Sequence, residues 1–389
     1  MNVLVNSSAK KKTDKKKNAW QQVIVMACFV LIGVACGIVM VWYVDRSSGS
    51  GESLFREILS LIALFFIMYA AIFAQIIIHE AGHLIFGLLS GYQFSSFRIF
   101  SFMWVKENGG IRLRRLSVAG TGGQCLMAPP DMVDGKVPLV LYNLGGSLMN
   151  LISAGVCLGL YFVFDGNRFL SAAMLMSAVI GVVLAIMNGV PMRMGTVDND
   201  GYNAFSLTRN SEAMRSFWIQ MKVNDEISKG RRLKDMPEEW FATPTDEAMK
   251  NSMIAVMGVL AANRLMDAHE FEEAKKLIDH LLGIDTGMVG VHRNLMICDR
   301  INLELMEDGQ PEVIEKLYTR DLQKFMKSMK NYPSILRTQY VYALLYEKDP
   351  AGAENIKGRF EKCAKTYPYP NDIQSDRELM ELAEERCQN

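Results

Sequence analysis

Apolar and polar positions are spread very unevenly along this chain. From Trp20 to Pro191 long apolar runs dominate, whereas from about Tyr202 onward polar and charged residues mix with apolar ones. A helix needs about 20 apolar residues to cross the roughly 30 Å hydrocarbon core of a bilayer. Four stretches meet that length: Trp20 to Val44, Ile58 to Leu89, about Val137 to Phe164, and Phe169 to about Val190. The first far exceeds the roughly 7–15 apolar residues of a cleaved signal peptide, so a retained helix is expected there. Between the second and third runs, Phe94 to Met127 alternates in places, through Phe97, Ile99, Phe100, Phe102 and Trp104, and carries Asn108-Gly109-Gly110, a hairpin-turn signal.

Beyond Tyr202 the pattern is mixed and partly helical to about Ala242, with Pro237 and Pro244 bracketing a linker. Helical periodicity then predicts Met249 to Leu265, Glu270 to Leu282, Met288 to Met306, Glu312 to Met329, Ser334 to Glu347, Ala351 to Tyr367 and Ser375 to Cys387. The expected organisation is a basic tail over 1–19, an additional spanning helix over 20–45, a membrane core over 54–205, a linker region over 206–244 and an all-α domain over 245–389.

Basic residues near the ends of the spans set the expected orientation. Lys10, Lys11, Lys12, Lys15, Lys16 and Lys17 precede the first span, and Arg98, Lys106, Arg112, Arg114, Arg115 and Lys136 lie between the second and third. Both segments, and everything after Pro191, are therefore expected on the cytoplasmic side, with the N- and C-termini cytoplasmic. Lys+Arg and Asp+Glu balance at 42 each, which gives no argument for a nucleic-acid partner. The 7 cysteines form no C-x-x-C pair and read as reduced packing residues.

The chemistry is concentrated in the second apolar run, which contains His79-Glu80-Ala81-Gly82-His83. Residues four apart share a helix face, so both imidazoles can reach one metal ion, and Glu80 beside them is placed to take a proton from a metal-bound water. Zinc lowers the pKa of such a water from 15.7 to about 7. Ionisable groups at membrane depth are costly, and two histidines and a glutamate within five residues of an apolar helix read as functional. His79 lies 21 residues after Ile58, or about 30 Å along the axis. That places the motif towards the cytoplasmic side.

A catalytic zinc site has three protein ligands and an open position. His269, His280 and His292 all fall in the polar half, where they read as surface residues, so the third ligand is expected to be a carboxylate. Asn188-Gly189-Val190-Pro191 ends the fourth run, and the turn that follows offers Asp198 and Asp200.

These elements resemble the site-2 protease family of intramembrane zinc metalloproteases, over about Leu54 to Phe205. The His-Glu-x-Gly-His helix has the family form. The family's Gly-Pro-x-x-Asn is matched by Gly146-Ser147-Leu148-Met149-Asn150, with Ser147 where proline is usual. Asn-x-x-Pro followed by Asp-Gly is matched by Asn188, Pro191, Asp200 and Gly201, across a loop longer than the family norm. The resemblance implies Zn2+ held by His79, His83 and Asp200, Glu80 as catalytic base, and Asn150 and Asn188 as substrate-binding residues. It also implies that the β-hairpin region is membrane-associated and presents a strand edge to extended substrates.

Ala261 to Lys275 resembles the turn of a tetratricopeptide-like helix pair, without a 34-residue period. The expected fold is thus an α-helical polytopic membrane protein with four transmembrane helices and a membrane-associated β-hairpin region, followed by a cytoplasmic solenoid-like all-α domain. The expected function is a zinc metalloendopeptidase of the cell membrane, of bacterial type, acting on transmembrane or membrane-associated proteins, with a possible partner protein on the helical domain. A non-proteolytic membrane scaffold that recruits partners is the second reading. A transporter is disfavoured because the apolar half shows no internal repeat.

Overall fold

A computed structural model describes residues 23–24, 26–44, 54–107, 109–117, 122–164, 166–194, 197–307 and 309–388. The basic tail and its six lysines lie outside these residues. Four helices are long and apolar enough to cross a membrane: α1 (Met26–Val44), α2 (Leu54–Leu89), α3 (Leu139–Val163) and α4 (Arg168–Gly189). The chain divides into two compact units, one of Met1–Gly91 with Pro138–Arg209 and the other of Tyr92–Val137 with Asn210–Asn389.

In the first unit α2, α3 and α4 pack on one another. Leu64, Met68 and Ala71 of α2 join Ala172, Met176 and Ile180 of α4, and α1 adds Ile32, Cys36 and Val39 to the same cluster. Outward residues such as Phe65, Phe66, Leu151, Ile152 and Ile186 stay exposed and apolar, as lipid-facing positions must. Where α2 meets α3 the backbones come very close. A Cβ built on Gly82 would lie 2.3 Å from the Gly145 carbonyl oxygen, and one on Gly145 2.7 Å from that of Gly82. Small residues permit such an approach between membrane helices. After α4, two-residue strands β5 (Arg193–Met194) and β6 (Val197–Asp198) pair and lead into α5 (Asp200–Leu207), which packs on α3 and α4.

The second unit holds a four-stranded antiparallel sheet of β1 (Gln93–Ile99), β2 (Phe102–Glu107), β3 (Gly110–Arg115) and β4 (Gly123–Ala128), in the order β3-β2-β1-β4. Glu107 pairs with Gly110, closing the two-residue turn expected there, and Gly109 has the positive φ of 80° that this turn demands. Asn108 itself lies outside the described residues. The alternation has a direct consequence. Met103 and Val105 point inward and are fully buried among Cys298, Ile301, Ile335 and Phe360 of the C-terminal helices, while Phe102 and Trp104 face outward. The sheet therefore groups with the C-terminal helices, where the sequence reading had set its segment within the membrane core.

Those helices are α6 (Ser211–Ser228), α7 (Ser252–Asp267), α8 (Phe271–Gly283), α9 (Gly290–Met306), α10 (Pro311–Leu317), α11 (Arg320–Ser328), α12 (Pro333–Val341), α13 (Pro350–Ala364) and α14 (Pro370–Gln388). The single helix expected over Glu312 to Met329 is two, because Thr319 stops one and caps the next, its side chain accepting from the Leu322 amide. The linker bracketed by Pro237 and Pro244 holds a short 3-10 turn, Glu238–Phe241. Neighbour packs on neighbour from α6 to α9, after which α12 touches α9, α13 and α14. All seven cysteines are free. His269 and His280 are exposed, as expected, and His292 is half-buried, with its Nδ1 buried and without a hydrogen-bond partner among the described residues.

Ion pairs are buried inside this unit. Arg337, 5% exposed, bonds Asp299 and, at 2.7 Å, Asp376. Arg232 bridges Asp267 at 2.7 Å and Glu378 at 2.6 Å. Asp372 is different, since its side chain has no hydrogen-bond or ion-pair partner among the described residues. Burial, then the like charges of Asp376 and Asp267, push its carboxyl up to about 7. In the unfolded chain this group would release its proton near pH 3.9. Between about pH 4 and pH 7 the folded state thus holds the extra proton, and rising pH removes stability through that window. Asp372→Asn is expected to unfold at a higher temperature than the parent chain at pH 8 and at nearly the same temperature at pH 4. Thermal unfolding of the full chain in detergent checks this, and a lower transition for the variant at pH 8 would contradict it.

Candidate metal centre

The site is built from three helix positions and one helix start, all in the first unit. His79 and His83 lie one turn apart on α2 and are buried, as is Glu80 between them. Asp200 opens α5, and one of its carboxylate oxygens, Oδ2, lies 3.1 Å from His79 Nε2 and 3.3 Å from His83 Nε2. The two Nε2 atoms are 3.2 Å apart. Three potential ligand atoms therefore meet in one small triangle, and His79, His83 and Asp200 form a group able to hold a metal ion. Asp198, the other carboxylate weighed from the sequence, pairs in the β5–β6 ladder opposite Arg193 and is not in this group.

Hydrogen bonds behind the rings fix which nitrogen faces the triangle. His83 Nδ1 lies 2.8 Å from the Tyr142 carbonyl oxygen, which can only accept. His79 Nδ1 lies 2.8 Å from Asn150 Oδ1. Asn150 uses its Nδ2 to donate to Gln75 O at 2.9 Å and Gln75 Oε1 at 2.8 Å, so its oxygen is the end turned to His79. Gln75 in turn donates from Nε2 to Ser153 Oγ at 3.0 Å and to the Ser177 carbonyl at 3.2 Å. Both rings thus use Nδ1 for the bonds behind them, and each turns its Nε2 to the Asp200 oxygen. Three atoms able to ligate a cation meet at close range, an arrangement that a metal ion or a proton among them stabilises.

Backbone packing sets the rings' positions. A Cβ on Gly146 would lie 2.5 Å from His79 Cε1, so only glycine lets α3 close on that ring. Gly201 plays the same part for Asp200: a Cβ there would meet the Gly189 carbonyl oxygen at 2.1 Å, so α5 can start only against the end of α4 with glycine at this position. Asn199 ties the connection down. It caps α5 by accepting from the Tyr202 amide at 2.9 Å, accepts from the Met192 amide at 2.9 Å, and donates to the carbonyls of Met187 and Val190 at 2.8 and 2.6 Å. The longer loop after Pro191 is in this way folded back onto the helix it leaves, and Asp200 is delivered to the histidines.

Glu80 is 8% exposed and lies next to the His79 ligand on α2. Asn188 donates its amide to the Leu184 carbonyl within α4 at 3.0 Å. Gln75 and Asn199 were not singled out as site residues in the sequence reading. Gln75 was visible only as a polar interruption of an apolar run, and Asn199 as part of a turn. The signal for each was position: a buried amide one turn before the His-Glu motif, and a capping residue just before Asp-Gly.

Comparison with protein-family models, curated proteins and solved structures gave no match to this chain.

Gly146→Ala should displace the His79 ring, and Asn199→Ala should loosen the loop that carries Asp200. Each is expected to weaken metal affinity by roughly 10–100-fold, the range seen when supports of metal ligands are removed. Chelator competition with metal quantification reads this directly. Unchanged affinity in both variants would show that the backbone approach and the Asn199 ties do not set the geometry.

Proposed function

We propose that this chain is an intramembrane zinc metalloprotease that hydrolyses peptide bonds in membrane-embedded or membrane-proximal segments of protein substrates. The observation that carries the reading is the convergence of His79 Nε2, His83 Nε2 and Asp200 Oδ2 on one point. Zinc–ligand bonds of about 2.0–2.1 Å at tetrahedral angles imply neighbouring ligand atoms about 3.3 Å apart. The observed separations of 3.1, 3.2 and 3.3 Å fit that spacing. Two imidazoles and one carboxylate are a donor set that zinc favours, with a fourth position left open. When bound, zinc supplies a water nucleophile at neutral pH and polarises the scissile carbonyl.

The chain's own residues supply the rest. Glu80, one position after a ligand and buried beside the site, serves as general base for the attacking water and later passes the proton to the departing amine. The Gln75–Asn150–His79 hydrogen bonds hold one ligand ring in its working tautomer. In this reading Asn150 orients the ring, since its amide is already committed on both sides. A substrate helix must unwind locally to be cut, because helical carbonyls are occupied by hydrogen bonds. The order of His-Glu-x-Gly-His, the Gly146 to Asn150 segment and the Asp200-Gly201 pair supports placing the chain with the site-2 protease family.

Glu80→Gln should keep stoichiometric zinc and lower cleavage by about 10²–10⁴-fold, the usual share of a general base. Asp200→Asn should lower zinc occupancy, and Asp198→Asn should not. Zinc is quantified in the purified full chain by mass spectrometry. Cleavage is read by comparing membrane-fraction proteomes of cells carrying the parent chain or the Glu80→Gln form. Parent protein without zinc, or membrane proteomes that do not differ, would sink the proposal.

A further inference from the structure

Charge is spread unevenly over the second unit, although the chain as a whole is neutral. Along α11, Arg320, Lys324 and Lys327 recur at i, i+4 and i+7, so they share one face of the helix, and all three are exposed. Leu322 and Met326 lie on the opposite face and are buried in the core of the unit. The helix therefore has an apolar seat and a cationic ridge. Asp321 is its one acid, and it meets Lys324 at 3.5 Å with both side chains almost wholly solvated, at 94% and 80% exposure. A pair of that kind is worth little and leaves the field of the ridge standing. Among the described residues Arg320 and Lys327 form no ion pair.

A lysine ridge alone is usually no more than a solvated face. Two observations set this one apart. First, it continues onto other elements. The Lys330 carbonyl accepts from Arg359 of α13 at 3.0 Å, the Asn331 carbonyl accepts from Cys363 one turn further at 3.1 Å, and Thr366 beyond it accepts from the Arg115 amide of β3 at 2.8 Å. Lys330, Arg359, Lys365 and Arg115 are all exposed, so cations from three separate stretches of the chain adjoin one another. Like charges gathered in this way repel, a cost that an anionic partner offsets. Second, the strip runs into apolar side chains left in solvent. Ile111, Leu113 and Arg115 alternate on one face of β3, with Leu113 opposite Trp104 and Arg115 opposite Phe102. Ile111 and Leu113 are 65% and 57% exposed, and the Arg115 guanidinium lies 5.5 Å from the centre of the Phe102 ring. A purely polyanionic partner would meet the cations and leave these apolar groups in water. Cations beside exposed aromatic and aliphatic side chains are the composition of a surface at lipid headgroup level.

We propose that the second unit docks on an anionic bilayer surface through this strip, with the lysines and arginines of α11, α13 and β3 against lipid phosphates. The same chain carries four helices long and apolar enough to cross a membrane, which keeps a bilayer surface close to the rest of it. Each basic residue at such a surface strengthens attachment by roughly fivefold. Several acting together hold the unit down at low salt and release it as screening grows. The inference rests on those helices and takes nothing from the metal centre, which contributes none of these residues.

The test labels lysines of the full chain in nanodiscs with an amine-reactive acetyl ester and reads each site by mass spectrometry. Discs of zwitterionic phosphatidylcholine are compared with discs that also contain anionic phosphatidylglycerol. Lys324, Lys327 and Lys330 are expected to label roughly fivefold more slowly, or slower still, in the anionic discs at about 0.1 M salt. At about 1 M salt, where the screening length falls to about 3 Å, the two kinds of disc should give the same rate. Lys276, an exposed lysine of α8 with Glu272 and Glu273 a turn before it, should label alike throughout. Replacing Lys324→Gln and Lys327→Gln together should cancel most of the protection of Lys330 without moving the unfolding temperature. The pair Lys324→Arg and Lys327→Arg should preserve it. Equal labelling of the ridge in both discs, equal slowing of Lys276, or protection of Lys330 that survives the glutamine pair would each overturn the proposal. So would stronger protection by soluble polyglutamate in phosphatidylcholine discs than by phosphatidylglycerol, since that outcome assigns the strip to an acidic protein.

Discussion

Two imidazole nitrogens and one carboxylate oxygen meet between apolar helices, about 3 Å apart, and much of the first unit serves to hold them there. Glycines at 82, 145 and 146 let α2 and α3 approach closely, an amide chain through Gln75 and Asn150 holds the His79 ring, and the Tyr142 carbonyl holds that of His83. A bundle that spends so many buried hydrogen bonds on orienting two rings is organised around the position between them.

The third donor arrives by a different device. Asp200 belongs to a short helix rather than to a span, and it is positioned by the Asn199 cap and by the absence of a side chain at Gly201. The division of labour has a physical logic. Ligands on a long helix come in a fixed spacing of one turn, which supplies two donors on one face. The remaining donor has to approach from another direction, and a capped helix start following a break can be aimed independently of any span.

In the second unit Arg337 and Arg232 are each matched by two carboxylates from distant elements, Arg337 reaching α9 and α14 and Arg232 reaching α7 and α14. Against that background of compensation Asp372 stands alone, crowded by like charge. Arg337 and Arg232 each hold two carboxylates, whereas Asp372 holds no cation among the described residues.

The four long helices, the two-residue hairpin turn at Gly109 and the pairing of His79 with His83 were legible in the residues alone, because each follows from local rules: apolar length, turn chemistry and helical spacing. Most of the C-terminal helices were legible for the same reason, down to a few residues at their ends. Periodicity missed the break at Thr319, where a cap interrupts an otherwise continuous apolar stripe. What tertiary structure alone decided depends on contacts between residues far apart in the chain. It chose Asp200 over Asp198, gave Gln75 and Asn199 their bonds, and drew the sheet into the C-terminal unit through Met103 and Val105. A local pattern states which side chains share a face, but which of two nearby carboxylates meets a ring 121 positions away is set only when the backbones close on one another.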